Sequence, residues 1–239
     1  MITLGIDTSA VFVSAALAKD GALLGERFLH STQGHSALLL PMIDELLHDC
    51  GYMIGDVDRF AVTNGPGSFT GVRIGAATVK GLAHPDRHCA GVSTLAAMAA
   101  CAPSPGSPQS PQAMWGESWP GILCCAMDAR RAQVYAALFD AGGRLTEDEA
   151  LPISELEQRL MAYDQPVTFL GDGAALCHGI MQTRPGWALA PEEWRYQRGW
   201  GAVLAAGEAD YRPAAELRVQ YLRPSQAERL RRGSPPSAQ

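Results

Sequence analysis

A glycine-rich segment at residues 64–75, with the sequence NGPGSFTGVRIG, restricts the fold of this 239-residue chain more than any other feature. Gly65 and Gly67 permit backbone angles that other residues avoid, and the proline between them stiffens the turn. Ser68 is a suitable N-cap for a following helix, and residues 57–63 have the composition of a preceding strand. The segment therefore predicts a strand–turn–helix unit. Its backbone N–H groups suit an anion, although a well-capped connection explains the same residues.

The remainder of the chain alternates between strand and helix patterns. Three apolar runs near the N-terminus are separated by turns, which is typical of antiparallel strands. The predicted strands are 2–6, 11–18, 22–29, 57–63, 89–92, 122–127, 133–139 and 167–170, and the predicted helices are 36–50, 69–83, 93–101, 153–162, 174–182 and 197–208. Antiparallel strands followed by strand–helix alternation indicate a two-lobed α/β protein.

A segment rich in proline and serine divides the chain. Residues 102–120 contain five prolines and cannot sustain a helix or an interior strand, so we expect a loop insertion there. The predicted organisation is an N-terminal, dimerising lobe at 1–101, this insertion, a C-terminal lobe at 121–223 and a flexible basic tail at 224–239.

Composition excludes several classes of protein. The net charge is −6 and the pI is about 5.5, whereas a protein that binds RNA by itself usually has a basic surface. No run of about 18 apolar residues is present, so no membrane-spanning helix is expected. The six cysteines lack the spacing of metal ligands, which favours reduced thiols in a cytoplasmic protein and no zinc site.

Two predicted helices of the first lobe have unusual surfaces. The helix at 69–83 is rich in glycine and alanine, and each glycine costs about 1 kcal/mol of helix stability relative to alanine. That cost is reasonable where another backbone approaches closely, and the helix at 36–50 has a broad apolar face. Contact with a partner and packing within the core both remain open. The predicted partner or dimer interface comprises Leu38, Leu39, Met42, Ile43, Leu46, Gly71, Arg73, Ile74 and Gly75.

A series of short motifs runs in order from residue 2 to residue 223. They are IDTS at 6–9, HS at 35–36, LLPMI at 39–43, GPGSFTGVRIG at 65–75, KGLA at 80–83, GVSTL at 91–95, DARR at 128–131, VY at 134–135, GDG at 171–173 and YLR at 221–223. Together they resemble the TsaB (YeaZ-like) family over nearly the whole chain, and GPGSFTG followed by VRIG is highly specific.

The resemblance implies an actin/Hsp70/sugar-kinase-like (ASKHA) fold, whose two lobes are built from ribonuclease-H-like βββαβα units. It also implies a scaffold that pairs with the catalytic paralogue TsaD through helices of the N-terminal lobe. With the ATPase TsaE, that pair transfers a threonylcarbamoyl group, supplied as its adenylate by TsaC, to the tRNA adenosine 3′ of the anticodon. We expect the chain alone to form a homodimer through the same surface and to contact tRNA only indirectly.

The same resemblance implies that the chain is not an enzyme by itself. The catalytic paralogue holds its metal with two histidines four residues apart on a helix, a spacing that places both on one face. The matching residues here are Thr94 and Met98, which cannot replace imidazole ligands, so we predict no metal site. An ATP-dependent phosphoryl-transfer enzyme of the same fold and a metallopeptidase relative remain the alternatives.

Six further residues outline a degenerate nucleotide site. They are Asp7, Thr8 and Ser9 in the first hairpin and Gly171, Asp172 and Gly173 in the second lobe. No glycine follows Ser9, so the hairpin lacks the small residues that let a backbone wrap phosphate. Asp7 either orients a metal-bound water or caps the hairpin. We predict no cofactor, and weak or interface-only binding of ATP or ADP stays open.

Overall fold

The structure is a computed structural model that describes residues 1–30, 34–83, 87–102, 121–181 and 184–223. The predicted tail at 224–239 and the predicted insertion at 102–120, apart from its first residue, lie outside the described residues. Among the described residues we find no helix that combines the length and the hydropathy of a bilayer-spanning segment.

Strands and helices alternate along the described chain. The strands are β1 (Ile2–Asp7), β2 (Phe12–Lys19), β3 (Ala22–His30), β4 (Arg59–Gly65), β5 (His88–Ser93), β6 (Ile122–Asp128), β7 (Gln133–Asp140), β8 (Gly143–Arg144), β9 (Glu149–Pro152), β10 (Val167–Leu170), β11 (Trp187–Leu189) and β12 (Arg212–Pro213). The helices are α1 (His35–Asp49), α2 (Phe69–Leu82), α3 (Thr94–Cys101), α4 (Ile153–Leu160), α5 (Ala174–Ile180) and α6 (Gly199–Ala205).

The strands form two six-stranded sheets of the same design. The first has the order β12-β5-β4-β1-β2-β3, in which β1, β2 and β3 are antiparallel and β4 and β5 continue parallel to β1. The second has the order β11-β10-β6-β7-β8, and β9 also pairs with β7. There, β6 and β7 are antiparallel and β10 and β11 continue parallel to β6. This repeated arrangement confirms the predicted two-lobed ASKHA fold.

Side chains alternate across β1, so its two faces pack against different helices. Leu4 and Ile6 face a core closed by the apolar sides of α1 and α2. Gly5 faces the opposite side, where α6 lies so close that a Cβ atom on Gly5 would be 2.2 Å from the Gly199 carbonyl oxygen. The lack of side chains at both glycines permits this approach.

The chain returns to the first sheet after building the second. Helix α6 packs on β1, β2 and β4, and β12 pairs with β5 at the edge of the first sheet. The Gly199 amide donates to the Ser14 hydroxyl at 2.9 Å, and the Trp200 amide donates to the Glu26 carboxylate at 3.1 Å. The sequence places residues 199–213 in the lobe at 121–223, whereas in the structure α6 packs against the first sheet and β12 extends it.

Candidate functional site

A cleft of about 550 Å³ opens between the two sheets. One wall consists of the β1–β2 connection, the turn before α2 and the first residue of α1, and the other consists of the β6–β7 connection and the β10–α5 turn. The lining residues lie at 9–11, 66–69, 127–130 and 220–223, together with His35, Tyr135 and Asp172. The cleft therefore brings Ser9 and Asp172, both predicted nucleotide-site residues, to opposite walls.

Asp7 is buried at the end of β1 and organises the first hairpin. Its carboxylate accepts hydrogen bonds from the Ser9 amide at 3.0 Å and from the Thr63 hydroxyl at 2.6 Å. The Ser9 hydroxyl donates to the same carboxylate. Burial raises the pKa of Asp7, and the bonds from Thr63 and Ser9 oppose that shift. These bonds fix the hairpin against β4, in agreement with the capping interpretation.

The glycines of the 64–75 segment pack against the first hairpin of the same chain. A Cβ atom on Gly71 would lie 2.0 Å from the Thr8 carbonyl oxygen, and one on Gly75 would lie 2.6 Å from the Thr8 hydroxyl oxygen. The Thr8 hydroxyl donates to the Gly71 carbonyl at 2.8 Å. The close backbone approach predicted for this helix is therefore made within the chain, and Gly71 and Gly75 are buried.

Some of the backbone N–H groups near the start of α2 that could bind an anion already form hydrogen bonds within the protein. The Ser68 amide donates to the Ser9 carbonyl at 2.7 Å, and the Gly71 amide donates to the Ser68 hydroxyl at 3.2 Å. A Cβ atom on Gly67 would lie 2.5 Å from the same Ser9 carbonyl oxygen. The first hairpin thus occupies the space in front of the α2 N-terminus, which favours the interpretation of a capped strand–helix connection.

Only one of the three second-lobe residues reaches the cleft. Asp172 accepts a hydrogen bond from the Gln197 amide nitrogen at 3.1 Å. Its pKa is raised to about 6, chiefly by burial and also by the nearby Asp128 carboxylate, whereas the bond from Gln197 opposes the shift. Gly171 and Gly173 pack instead against the β6 backbone, where a Cβ atom on Gly171 would lie 2.1 Å from the Ala126 carbonyl oxygen.

Thr94 and Met98 lie on α3, at the positions where the family resemblance implies the histidines of a catalytic paralogue. Both side chains are buried, and Met98 belongs to an apolar cluster between the sheets that includes Leu95 and Met127. The Thr94 hydroxyl has no hydrogen-bond partner among the described residues. In the part of the chain that the structure describes, no group of three or more His, Cys, Asp or Glu side chains has the geometry of a metal site.

Much of the predicted partner surface is buried in the hydrophobic core of the first lobe. Leu39, Met42, Ile43 and Leu46 are each at most 3% exposed, because the apolar face of α1 covers the first sheet. Helical periodicity marks a buried face but does not say what buries it. The prediction of a partner surface at these four residues is therefore corrected: in this chain they pack against the first sheet.

The residues that α1 and α2 expose to solvent differ from most of the predicted interface residues. Leu40, which the sequence did not single out, is 51% exposed on α1. On α2, Arg73 and Ala77 are exposed and Ile74 is half-buried, and on α1 Leu38 is half-buried. A partner docking on these helices meets this surface, and only Leu38, Arg73 and Ile74 of the predicted residues contribute to it.

The sequence also missed part of the cleft. Tyr221 and Arg223 belong to a motif that the sequence does identify, but nothing local indicates that they return to α2 and to the β6–β7 connection. The Arg73 guanidinium donates to the Tyr221 hydroxyl at 2.5 Å, and Arg223 donates to the Ala129 carbonyl at 3.0 Å. These contacts join residues far apart in sequence, which periodicity cannot reveal.

Comparison with known proteins identifies relatives over most of the chain. The family model described as "TsaD: tRNA N6-adenosine threonylcarbamoyltransferase" matches residues 29–207. The tRNA threonylcarbamoyladenosine biosynthesis protein TsaB of Bacillus subtilis is 32% identical over 181 residues, which are 74% of this chain and 73% of that protein. The protein of the same name from Escherichia coli is 36% identical over 138 residues, 57% of this chain and 54% of that one.

A solved structure agrees with the fold. YeaZ from Pseudomonas aeruginosa has a TM-score of 0.71 and 27% sequence identity, and the match covers 92% of this chain and 99% of that one. The similarity therefore extends over both sheets.

Proposed function

The chain belongs to the TsaB family, and on this premise we propose that it is the scaffold subunit of a complex that synthesises threonylcarbamoyladenosine in tRNA. In this role it pairs with a TsaD-type catalytic paralogue and works with a TsaE-type ATPase, downstream of a TsaC-type enzyme. The complex transfers the threonylcarbamoyl group to the adenosine 3′ of the anticodon. The match to TsaB of Bacillus subtilis over 74% of the chain is the observation that carries this proposal.

The buried α3 residues support a subunit without its own transferase chemistry. Thr94 and Met98 are part of the packing between the sheets, and neither side chain offers an imidazole or a carboxylate to a metal. A family model of the transferase nevertheless matches residues 29–207, while Thr94 and Met98 stand where the family resemblance implies metal-binding histidines. This combination favours a degenerate paralogue over a metallopeptidase.

The first hairpin supports a chain without a resident cofactor. The Ser68 amide and the Ser9 carbonyl are bonded to each other at 2.7 Å, and Val11 and Phe12 follow where glycine would let the backbone wrap phosphate. Tight binding of ATP by the chain alone is therefore not part of the proposal. Weak binding of ATP or ADP at a shared interface is compatible with it.

The proposed docking surface is the exposed side of α1 and α2, which contact each other. Leu40 on α1 is half exposed although it is apolar, and Ala77 on α2 is small and exposed. Apolar helix faces of this kind are common at subunit interfaces. We propose that the TsaD-type partner occupies this surface, and that a second copy of the chain does so when the partner is absent.

The charge of the chain supports indirect contact with tRNA. Neutralisation of phosphates by basic side chains dominates the affinity of proteins for nucleic acids, and the net charge here is −6. We therefore propose that the partner proteins provide the main contacts with tRNA.

Reconstitution tests the function. Purified TsaC-, TsaD- and TsaE-type proteins of the same organism are incubated with ATP, threonine, bicarbonate and unmodified tRNA, with and without the chain, and the modified nucleoside is measured by mass spectrometry. The proposal predicts product only when the chain is added and no ATP hydrolysis by the chain alone. Full product without the chain, or rapid hydrolysis by the isolated chain, would contradict it and favour the phosphoryl-transfer alternative.

A further inference from the structure

We infer that residues 217–223, named here the strap, form a releasable closure of the cleft. The strap leaves the first sheet near the end of β4, passes the start of α2 and reaches the β6–β7 connection of the second sheet. Its last four residues line the cleft. Its two ends are held very differently, and this difference is the basis of the inference.

The strap is anchored to the first sheet at Leu217, and the backbone hydrogen bond of Gln220 lies at the far end of this anchor. Leu217 is buried in the core under α1 and α2. The Gln220 amide donates to the Asn64 carbonyl at 2.8 Å, and the Asn64 side-chain amide donates to the Arg218 carbonyl at 3.0 Å. A Cβ atom on Gly65 would lie 2.1 Å from the Gln220 carbonyl oxygen, so the strap backbone lies directly on the glycine turn.

The second half is held by an exposed clasp on α2. The Tyr221 ring stacks on Phe69 with 4.8 Å between ring centres, and the Arg73 guanidinium lies 3.8 Å from the centre of the Phe69 ring. The Arg73 guanidinium also donates to the Tyr221 hydroxyl at 2.5 Å. Tyr221 is 42% exposed and Arg73 is exposed, so solvent competes for each of these contacts.

The last residue of the strap connects the two sheets. The Arg223 guanidinium donates to the Ala129 carbonyl at 3.0 Å, and the side chain is half-buried. Once the clasp is broken, Tyr221 and Arg223 can leave the cleft without disturbing Leu217, and the Gln220–Asn64 hydrogen bond next to the released residues opens with them. Release would expose the Phe69 ring face that Tyr221 covers and free the Ala129 carbonyl on the opposite wall, so the strap limits how far the cleft opens.

Amide hydrogen exchange of the full chain, followed residue by residue by NMR, tests this inference. The first variant is Tyr221→Ala, which removes both the stacking on Phe69 and the hydrogen bond from Arg73. The second is Arg223→Ala, which removes the contact with the second sheet. Tyr221→Phe keeps the ring and loses only the hydroxyl. Matched controls are Tyr52→Phe, whose hydroxyl is near Lys19, and Arg212→Ala, whose guanidinium bonds only its neighbour's carbonyl among the described residues.

A releasable strap predicts that the Gln220 amide exchanges faster than the central amides of β4 in the unmodified chain. Tyr221→Ala and Arg223→Ala should accelerate it further by about tenfold, since a hydrogen bond with an adjacent ring contact changes an equilibrium by about that factor. The thermal midpoint should stay unchanged, and Tyr221→Phe should give a smaller acceleration. The inference would be overturned if the Gln220 amide exchanged at the rate of the β4 amides in every variant. It would also be overturned if the two control variants accelerated this exchange as much as Tyr221→Ala and Arg223→Ala do.

Discussion

Gly71 and Thr8 lie so close together that a Cβ atom on Gly71 would come within 2.0 Å of the Thr8 carbonyl oxygen. This contact joins α2 to the first hairpin, and the hairpin in turn forms one wall of the cleft. Gly71 and Gly75 of α2 therefore serve the internal geometry of the first lobe. The surface available to a partner lies on the other side of the same helix, at Arg73 and Ala77.

Substitution of Gly71 by alanine should destabilise the chain. The added methyl group meets backbone that cannot move away easily, and overpacking of this kind costs about 1–3 kcal/mol. The matched control is Gly81→Ala on the same helix, where a Cβ atom meets nothing within 4 Å among the described residues. It should raise the free energy of unfolding by about 0.5–1 kcal/mol. Urea unfolding measures both changes, and an equal response of the two variants would contradict the account.

Leu39 and Leu40 are adjacent in sequence, but only substitution of Leu39 should reduce stability strongly. Leu39 is 1% exposed in the core, so Leu39→Ala should lower the free energy of unfolding by about 2–5 kcal/mol. Leu40→Ala changes an exposed side chain and should alter stability by less than about 0.5 kcal/mol. Thermal and urea unfolding of both variants test the assignment. A large loss of stability in Leu40→Ala would mean that this residue is not at the surface of the monomer.

Arg198 should be important for the attachment of α6 to the first sheet. It forms an ion pair with Glu26, whose side chain is only 6% exposed. Arg198→Ala leaves a buried carboxylate without its counter-charge and should lower the free energy of unfolding by about 2–4 kcal/mol. Arg27→Ala is the control, because Arg27 pairs with the exposed Glu45 and Asp49 and should contribute less than about 1 kcal/mol. A comparable loss in both variants would contradict this difference.

Asp172 should make stability depend on pH in a direction opposite to that of most carboxylates. Its pKa is raised to about 6 in the folded chain by burial, from an ordinary value of 3.8, so the folded state holds the proton more tightly than the unfolded state. This contribution is complete below about pH 4 and is lost as the pH rises through about 6. Asp172→Asn keeps an acceptor for Gln197 and removes the charge.

The variant should therefore gain stability relative to the unmodified chain as the pH rises from 4 to 7, by roughly 2 kcal/mol. Urea unfolding of both proteins at several pH values measures this difference. Subtracting the two free energies of unfolding removes the contributions of the groups that both proteins share. Asp44→Asn, at an exposed position of α1, serves as the control for the loss of one carboxylate. A difference between Asp172→Asn and the unmodified chain that stays constant with pH would refute the prediction.

The sequence was sufficient for most elements of the fold because their signals are local. Each of the first five strands begins and ends within two residues of its predicted bounds, and Ser68 caps α2 as predicted, with its hydroxyl accepting from the Gly71 amide. Strands β8, β9, β11 and β12 are not predicted because each contains only two to four residues and, unlike the equally short β10, none is followed by a glycine turn that marks its end.

The candidate site was less accessible to sequence reasoning because its contacts are long-range. Asn64 and Arg218 are 154 residues apart and yet share a hydrogen bond, and no periodicity connects them. The apolar pattern of α1 was recognised correctly, but the pattern is the same whether the face meets a partner or the sheet beneath it. Only the burial of Leu39 and Ile43 distinguishes the two cases.

The most direct test of the central claim is the mass of the complex formed with a TsaD-type protein of the same organism, measured by light scattering after size-exclusion chromatography. The variants are Leu40→Glu, in the proposed docking surface, and Met53→Glu, which changes an exposed apolar residue elsewhere in the first lobe. The account predicts a one-to-one complex for the unmodified chain and for Met53→Glu, and its loss in Leu40→Glu. A complex that survives in Leu40→Glu, or no complex with the unmodified chain, would contradict it.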